Sequence, residues 1–120
     1  MIKNKILLVD DDKPLLNALS DFLMLEGFQV EALDHSLEVE GSIKAFLPDL
    51  IILDIDLGDA DGRIICDELK NNPTTAHIPI ILLTGLSYDE IAAIECLADG
   101  IIGKPFESSM LLFNIKNILT

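Results

Sequence analysis

Short apolar runs alternate along this chain with longer segments in which apolar residues recur at helical spacing. Because the runs are dominated by Ile, Leu and Val, the pattern is typical of a parallel sheet covered by helices on both faces. The pattern predicts five strands: Lys5 to Val9, Phe28 to Ala32, Leu50 to Asp54, Ile80 to Thr84 and Gly100 to Ile102. A predicted helix follows each strand, so the sequence indicates an α/β fold of five βα units.

Capping residues, proline and glycine set the predicted helix boundaries. The first helix has Asp12 as its N-cap, Pro14 in its first turn and Gly27 just past its end. Its predicted apolar stripe consists of Leu15, Leu19, Phe22 and Leu23. The other four helices are predicted from similar stripes: Val39, Ile43, Phe46 and Leu47 before Pro48; Ile65 and Leu69 after Gly62; Ile91, Ile94 and Ala98 after Ser87; and Leu111, Ile115, Ile118 and Leu119 after Ser108.

Composition and charge narrow the functional classes. The 120 residues are half apolar, which suits one compact domain over residues 1–120. The net charge of -13 argues against direct binding to nucleic acid or to an anionic membrane surface, since both require clustered Lys and Arg. The apolar runs are too short for a signal peptide or a spanning helix, so we expect a soluble, cytoplasmic protein. Cys66 and Cys96 have no metal-binding spacing and are expected to be reduced, partly buried helix residues.

Acidic residues are concentrated at the ends of two predicted strands. Asp10, Asp11 and Asp12 follow the first strand, while Asp54 ends the third and Asp56 comes two residues later. Right-handed crossovers place the carboxyl ends of parallel strands at one edge of the sheet, where open α/β folds bind ligands. Thr84 and Lys104 are predicted at the same edge. A set of clustered carboxylates with one hydroxyl and one ammonium indicates a site for a cation and a phosphoryl group.

The oxygen-rich set without His or thiolate suits Mg²⁺. With the cation bound near Asp10 and Asp11, a carboxylate oxygen of Asp54 is free to attack phosphorus in line. Thr84 and Lys104 are then placed to bind phosphoryl oxygens. In isolation, each of these residues is more often an ordinary cap, strand end or surface side chain, so the hypothesis depends on the whole set.

Four sequence blocks, in this order and spacing, resemble the response-regulator receiver domain over the entire chain. The blocks are Val9-Asp10-Asp11, Asp54 with Asp61-Gly62 after it, Leu83-Thr84-Gly85 and Lys104-Pro105-Phe106. The resemblance implies a flavodoxin-like, doubly wound (βα)5 fold with a five-stranded parallel sheet in the order 2-1-3-4-5. It also implies a cis Lys104-Pro105 bond.

The resemblance implies a role for each matching position. Asp54 is then the phosphoacceptor, Asp11 and Asp54 are direct Mg²⁺ ligands, Asp10 is an outer-shell ligand, and the backbone carbonyl of Asp56 is a third protein ligand. The resemblance also implies that Thr84 and Lys104 bind phosphoryl oxygens. The expected chemistry is self-catalysed phosphorylation and dephosphorylation rather than the turnover of an enzyme.

The resemblance also implies partners. The phosphoryl group is expected to come from a histidine kinase or a histidine phosphotransfer protein, and a downstream protein target or an output domain is expected to respond. Met110 and Phe113 lie off the apolar stripe of the last predicted helix, which suggests an exposed patch for a homodimer or a kinase.

The sequence departs from the family pattern at two sites. Ile101 occupies the position of the usual Tyr or Phe in the fifth strand, and an Ile side chain cannot act as the same aromatic latch between Thr84 and the outer surface. Leu57-Gly58 replaces the Met-Pro often found after the phosphoacceptor, and we expect this to make the loop from Ile55 to Asp61 more mobile.

Parts of the sequence also fit two other functions. The segment from Asp54 to Asp56 also resembles the nucleophile motif of haloacid-dehalogenase-type phosphatases. Those enzymes place the nucleophile on the first strand and need a late acidic pair, whereas here the acidic pair comes first and only Asp99 and Glu107 come late. A receiver-like scaffold that works without phosphorylation is the other alternative, and Ile101 is its only support.

Overall fold

The computed structural model describes residues 4–87, 89–90 and 96–120. Five parallel strands form one sheet in the order β2-β1-β3-β4-β5, which confirms the predicted fold and strand order. The strands are β1 (Lys5–Val9), β2 (Gln29–Leu33), β3 (Leu50–Asp54), β4 (Ile80–Thr84) and β5 (Gly100–Gly103). The helices within the described residues are α1 (Lys13–Leu25), α2 (Val39–Phe46), α3 (Gly62–Asn71) and α4 (Ser108–Leu119), the last being the predicted fifth helix.

The predicted fourth helix lies mostly outside the described residues, because Ile91 and Ile94 fall in the undescribed segment 91–95. Ala98 was predicted on the same helix, but the structure places residues 96–98 in irregular backbone. Cys96 is therefore not a helix residue. Cys66 lies in α3 as predicted and is fully buried, and both thiols are free.

The sheet separates two apolar cores. The odd-numbered side chains of β1 point to the same face as α2 and α3, and the even-numbered ones to the face of α1 and α4. The three inner strands are buried on both faces, which explains their continuous runs of Ile, Leu and Val. The turns at the carboxyl edge therefore start from rigid, tightly packed strands.

Strand β2 begins one residue later than predicted. The N–H of Phe28 donates to the Leu23 carbonyl at 3.0 Å, and Gly27 has a φ of +98°, so this segment still belongs to the end of α1. Leu47 was predicted on the buried stripe of α2 but is 67% exposed. It caps that helix in the left-handed conformation, with its N–H bonded to the Ile43 carbonyl, immediately before Pro48.

The start of α1 is confirmed. The Asp12 side chain accepts a hydrogen bond from the N–H of Leu15 at 3.2 Å, and Pro14 lies in the first turn. Within the described part of the chain, every helix is too short or too polar to cross a lipid bilayer.

Candidate functional site

The carboxyl ends of four strands bring the predicted site residues together. Val9 pairs with Leu53 in the register of β1 and β3, so Asp10 and Asp54 follow or end neighbouring strands at the same level. Thr84 ends β4 and pairs with Gly103 of β5, which places Lys104 directly after that pair. The parallel register therefore collects side chains that lie far apart in the sequence.

Three carboxylates form the centre of the site. Asp10, Asp11 and Asp54 each offer an oxygen within 4.8 Å of the others. Asp10 and Asp54 are only 2% and 4% exposed, while Asp11 lies open to solvent. Because all three groups are hard oxygen donors with one open side, the residues fit a Mg²⁺ ion that keeps part of its water shell.

The Lys104 ammonium bridges the two buried carboxylates. Its Nζ lies 2.9 Å from Oδ2 of Asp10 and 3.2 Å from Oδ2 of Asp54. Backbone N–H groups bind the other carboxylate oxygens: that of Asp12 donates to Asp10 at 2.9 Å, and that of Asp56 donates to Asp54 at 3.3 Å. Lys104 thus places a positive charge between two buried carboxylates that would otherwise repel each other.

Burial and the neighbouring Asp10 charge raise the pKa of Asp54 from 3.8 to about 6, although Lys104 acts in the opposite direction. Burial alone would lower the pKa of Lys104. Its hydrogen bonds and ion pairs with Asp10 and Asp54 outweigh that effect, so the pKa of Lys104 is raised. The ammonium stays charged at neutral pH, while the Asp54 carboxylate is held at a free-energy cost.

This cost predicts how the stability of the metal-free protein depends on pH. Protonated Asp54 favours the folded state, so its stabilising effect is fully present below pH 3.8 and is lost as the pH rises through about 6. At neutral pH the carboxylate should reduce the free energy of unfolding by about 3 kcal/mol. Asp54→Asn should therefore be more stable than wild type in EDTA.

Urea unfolding of both proteins, at pH values below 4 and near 7.5, measures this effect. We expect the stability gained by Asp54→Asn to increase with pH. An equal difference at both pH values would contradict the assignment of the raised pKa to Asp54.

Thr84 occupies the end of β4 and is 2% exposed. Its Oγ1 accepts a hydrogen bond from the N–H of Leu86 at 3.0 Å, and its carbonyl accepts one from the N–H of Lys104 at 2.6 Å. Since the hydroxyl oxygen is used as an acceptor, its proton remains available to donate to a bound anion.

The loop after β3 is held by local hydrogen bonds. Gly58 has a φ of +77°, which favours glycine, and its N–H donates to Oδ1 of Asp56 at 3.1 Å. The Asp56 carboxylate is exposed and lies outside the three-carboxylate cluster. Leu57 is buried, so the Leu57-Gly58 pair combines an apolar anchor with a tight turn. The metal-binding role of the Asp56 carbonyl stays a prediction.

Sequence reasoning missed the role of Gly62 beneath the site. A Cβ at this position would overlap the carbonyl oxygen of Asp54 and lie 2.9 Å from the Ile55 Cα. The Gly62 N–H also donates to the Ile55 carbonyl at 2.7 Å. The Asp61-Gly62 pair was the available signal, because Asp61 caps α3 through the N–H of Arg63 and the glycine lets that helix start against β3.

Ile101 and the last helix are placed much as expected. Ile101 pairs with Leu82 in the sheet and packs, partly buried, against the core on the side of α2 and α3. Lys104-Pro105 is cis, as the resemblance implied. Met110 and Phe113 are 45% and 65% exposed on α4.

Comparisons with known proteins agree with this geometry. The sequence model of the response regulator receiver domain matches residues 6–116. The transcriptional regulatory protein GltR of Pseudomonas aeruginosa is 36% identical over 95% of this chain, and this match spans 48% of GltR. The phosphate regulon transcriptional regulatory protein PhoB of Rhizobium meliloti is 34% identical over 96% of this chain and 52% of PhoB. The chain thus spans about half the length of these relatives.

Solved structures show the same fold. A response regulator from Chloroflexus aurantiacus has a TM-score of 0.89 and 33% identity, covering 98% of both chains. The receiver domain of a signal transduction histidine kinase from Syntrophus aciditrophicus has a TM-score of 0.88 and 35% identity, covering 97% of this chain and 89% of the other. The identities to these two structures are similar to those of the curated relatives, but the match spans nearly all of each solved chain rather than about half of it.

Proposed function

Since this chain belongs to the response regulator receiver domain family, we propose that it is a phosphorylation switch of a two-component system, with Asp54 as its phosphoacceptor. The Lys104 ammonium between Asp10 and Asp54 is the observation that best supports this proposal. The Lys104 ammonium and the candidate nucleophile Asp54 lie together at the sheet edge, beside the carboxylate of Asp11. We propose that the domain covers residues 1–120, of which 6–116 match the family.

In the proposed reaction, an oxygen of Asp54 attacks phosphorus in line. A P–O bond to Asp54 forms as the bond to the donor's leaving group breaks, so one phosphoryl group moves and no redox change occurs. Lys104 then exchanges its contact with Asp54 for a phosphoryl oxygen, and the Thr84 hydroxyl donates its proton to another. When bound at Asp10, Asp11, Asp54 and the Asp56 carbonyl, Mg²⁺ supplies charge neutralisation for these oxygens.

The proposed donor is a histidine kinase or a histidine phosphotransfer protein, and the responder is a protein target or an output domain outside this chain. Because GltR and PhoB are named as transcriptional regulators and are about twice as long as the matched segment, their further segments are candidates for output. The net charge of -13 argues against nucleic acid as a direct ligand of this domain. We propose a cytoplasmic location and, through Met110 and Phe113, a contact surface for a second copy or a kinase.

Incubation with acetyl phosphate and Mg²⁺, followed by intact-mass analysis, tests the function. We expect one added phosphoryl group, which hydroxylamine should remove and EDTA should prevent from forming. Failure to modify protein shown to be folded would instead favour a scaffold that works without phosphorylation. Repeated turnover of p-nitrophenyl phosphate would favour the phosphatase.

The metal site is tested separately with Asp11→Asn. We expect this variant to bind Mg²⁺ at least tenfold more weakly, because it loses an open carboxylate of the cluster. The stability gained on adding the same saturating concentration of Mg²⁺ should then fall by about 1.4 kcal/mol or more in urea unfolding. Asp12→Asn is the matched control, since it removes one adjacent charge while Asn still caps α1. Equal losses in both variants would contradict the assignment of Asp11 as a ligand.

A further inference from the structure

A groove of about 570 Å³ lies between the start of α2 and the length of α3, beside the loop that follows β3. Val39, Ile65 and Leu69 form its apolar floor and belong to the core or pack against it. Leu37 and Ile64 stand at its sides and are 86% and 58% exposed. Two large apolar side chains are thus left in water on either side of an apolar depression, which is typical of an interaction site.

The rim of this groove is acidic. Glu40 and Glu68 line it and are exposed, and neither forms an ion pair with a residue that the structure describes. Asp61 also lines it but is already paired with Arg63 at 2.7 Å. Among the described lining residues there is no Lys or Arg. An anionic ligand would therefore meet repulsion and find no counter-charge.

The same surface continues along α3. A second shallow depression shares Ile64, Glu68 and Asn72 with the groove and adds Asp67 and Asn71. The combined surface follows the helix axis, so an elongated ligand fits it better than a compact one. Its chemistry is an apolar strip bordered by carboxylates.

We propose that this groove, defined by Leu37, Glu40, Ile64 and Glu68, docks a cationic amphipathic helix of a partner protein. Apolar residues on one face of such a helix would cover Leu37 and Ile64, and its Lys or Arg side chains would pair with Glu40 and Glu68. Charge complementarity selects this occupant. A second copy of the chain, which carries a net charge of -13, would bring like charge to the acidic rim.

The probe is a synthetic amphipathic helical peptide made of Leu and Lys, titrated into the ¹⁵N-labelled, unphosphorylated protein. A peptide with Glu in place of every Lys serves as the charge control. We expect amide shifts confined to the residues around the groove and at least tenfold weaker binding of the Leu and Glu peptide. Shifts centred on α1, α4 or the acidic site, or equal affinity for both peptides, would overturn the proposal.

Two variants separate docking from general attraction to an acidic protein. Ile64→Lys places a positive charge in the groove, whereas Leu25→Lys places the same charge on an 88% exposed apolar residue of α1, across the sheet. We expect Ile64→Lys to weaken binding of the Leu and Lys peptide at least tenfold and Leu25→Lys less than twofold, with unfolding curves confirming that both fold. Equal losses would overturn the proposal. Self-association of the wild type that Ile64→Lys abolishes would do so as well, because the groove would then be a dimer interface.

Discussion

Asp54→Asn should leave the protein unable to take up a phosphoryl group from acetyl phosphate in the presence of Mg²⁺. The substitution keeps the shape of the side chain, and its amide oxygen can still accept the Asp56 N–H. The neutral amide is not a nucleophile, however, and it no longer pairs with Lys104 as a carboxylate does. We therefore expect complete loss of the added phosphoryl mass, at every acetyl phosphate concentration that modifies the wild type.

Asp56→Asn is the matched control for this experiment. The Asp56 carboxylate lies two residues further along the chain and is exposed. It accepts a hydrogen bond from the Gly58 N–H, and the amide oxygen of Asn can accept the same bond. Both variants remove one negative charge from the same loop region, so a purely electrostatic effect would appear in both. We expect Asp56→Asn to be phosphorylated. Phosphorylation of Asp54→Asn would show that the phosphoacceptor lies elsewhere, and loss in both variants would contradict a specific role of Asp54, because removal of a negative charge would then be sufficient for the effect.

Ionisation of Asp54 is expected to lower the stability of the fold and to enable the proposed attack on phosphorus, so one carboxylate sets both effects. Burial of Asp54 raises the pKa of its carboxyl and lowers the stability of the ionised, metal-free protein. The same carboxylate must be ionised to serve as the proposed nucleophile. Cations lower the free-energy cost of the ionised carboxylate. Lys104 contacts it directly, and the open side beside Asp11 offers space for a second cation. The site thus costs stability until it is filled, which is typical of functional sites in otherwise consistent folds.

The inner strands could be predicted from the sequence because they are buried on both faces. The bounds of β1, β3 and β4 agree with the prediction, whereas both edge strands differ by one residue. The edge strands have a neighbour on one side only, so their ends depend on local backbone: Gly27 and Phe28 close α1 before β2 starts. The end of α2 was also difficult to predict from the sequence. Helical spacing alone does not reveal that the helix ends at Leu47 in the left-handed conformation.

For the site, the sequence predicted which residues meet but not how they contact one another. Strand ends and crossover handedness are enough to place Asp10, Asp54, Thr84 and Lys104 at one edge. The bridging position of Lys104 depends on contacts between residues 94 and 50 positions apart, and these follow only from the folded packing. The raised pKa of Asp54 has the same origin, since burial and the distance to Asp10 are properties of the fold.

Gly62→Ala should destabilise the fold strongly, whereas a methyl group added at Gly41 should not. The added Cβ would overlap the Asp54 carbonyl oxygen and approach the Asp54 carbonyl carbon and the Ile55 Cα to 2.9 Å. These are backbone atoms of β3 and its first following residue, so no side chain can rotate away. We expect the free energy of unfolding to fall by about 3 kcal/mol or more, as overpacking against rigid structure does.

Gly41→Ala provides the matched control, since it adds the same methyl group to α2, where the new Cβ would meet no atom within 4 Å apart from its chain neighbours and the nearby backbone of its own helix. That variant should gain about 1 kcal/mol, because alanine favours a helix interior over glycine. Urea unfolding measures the change in the free energy of unfolding for both variants. Because the chain lacks Trp, unfolding is followed by far-ultraviolet circular dichroism. If Gly62→Ala were as stable as Gly41→Ala, then α3 would not be held against the Asp54 backbone. The rigidity that keeps Asp54 beside Lys104 would then need another source.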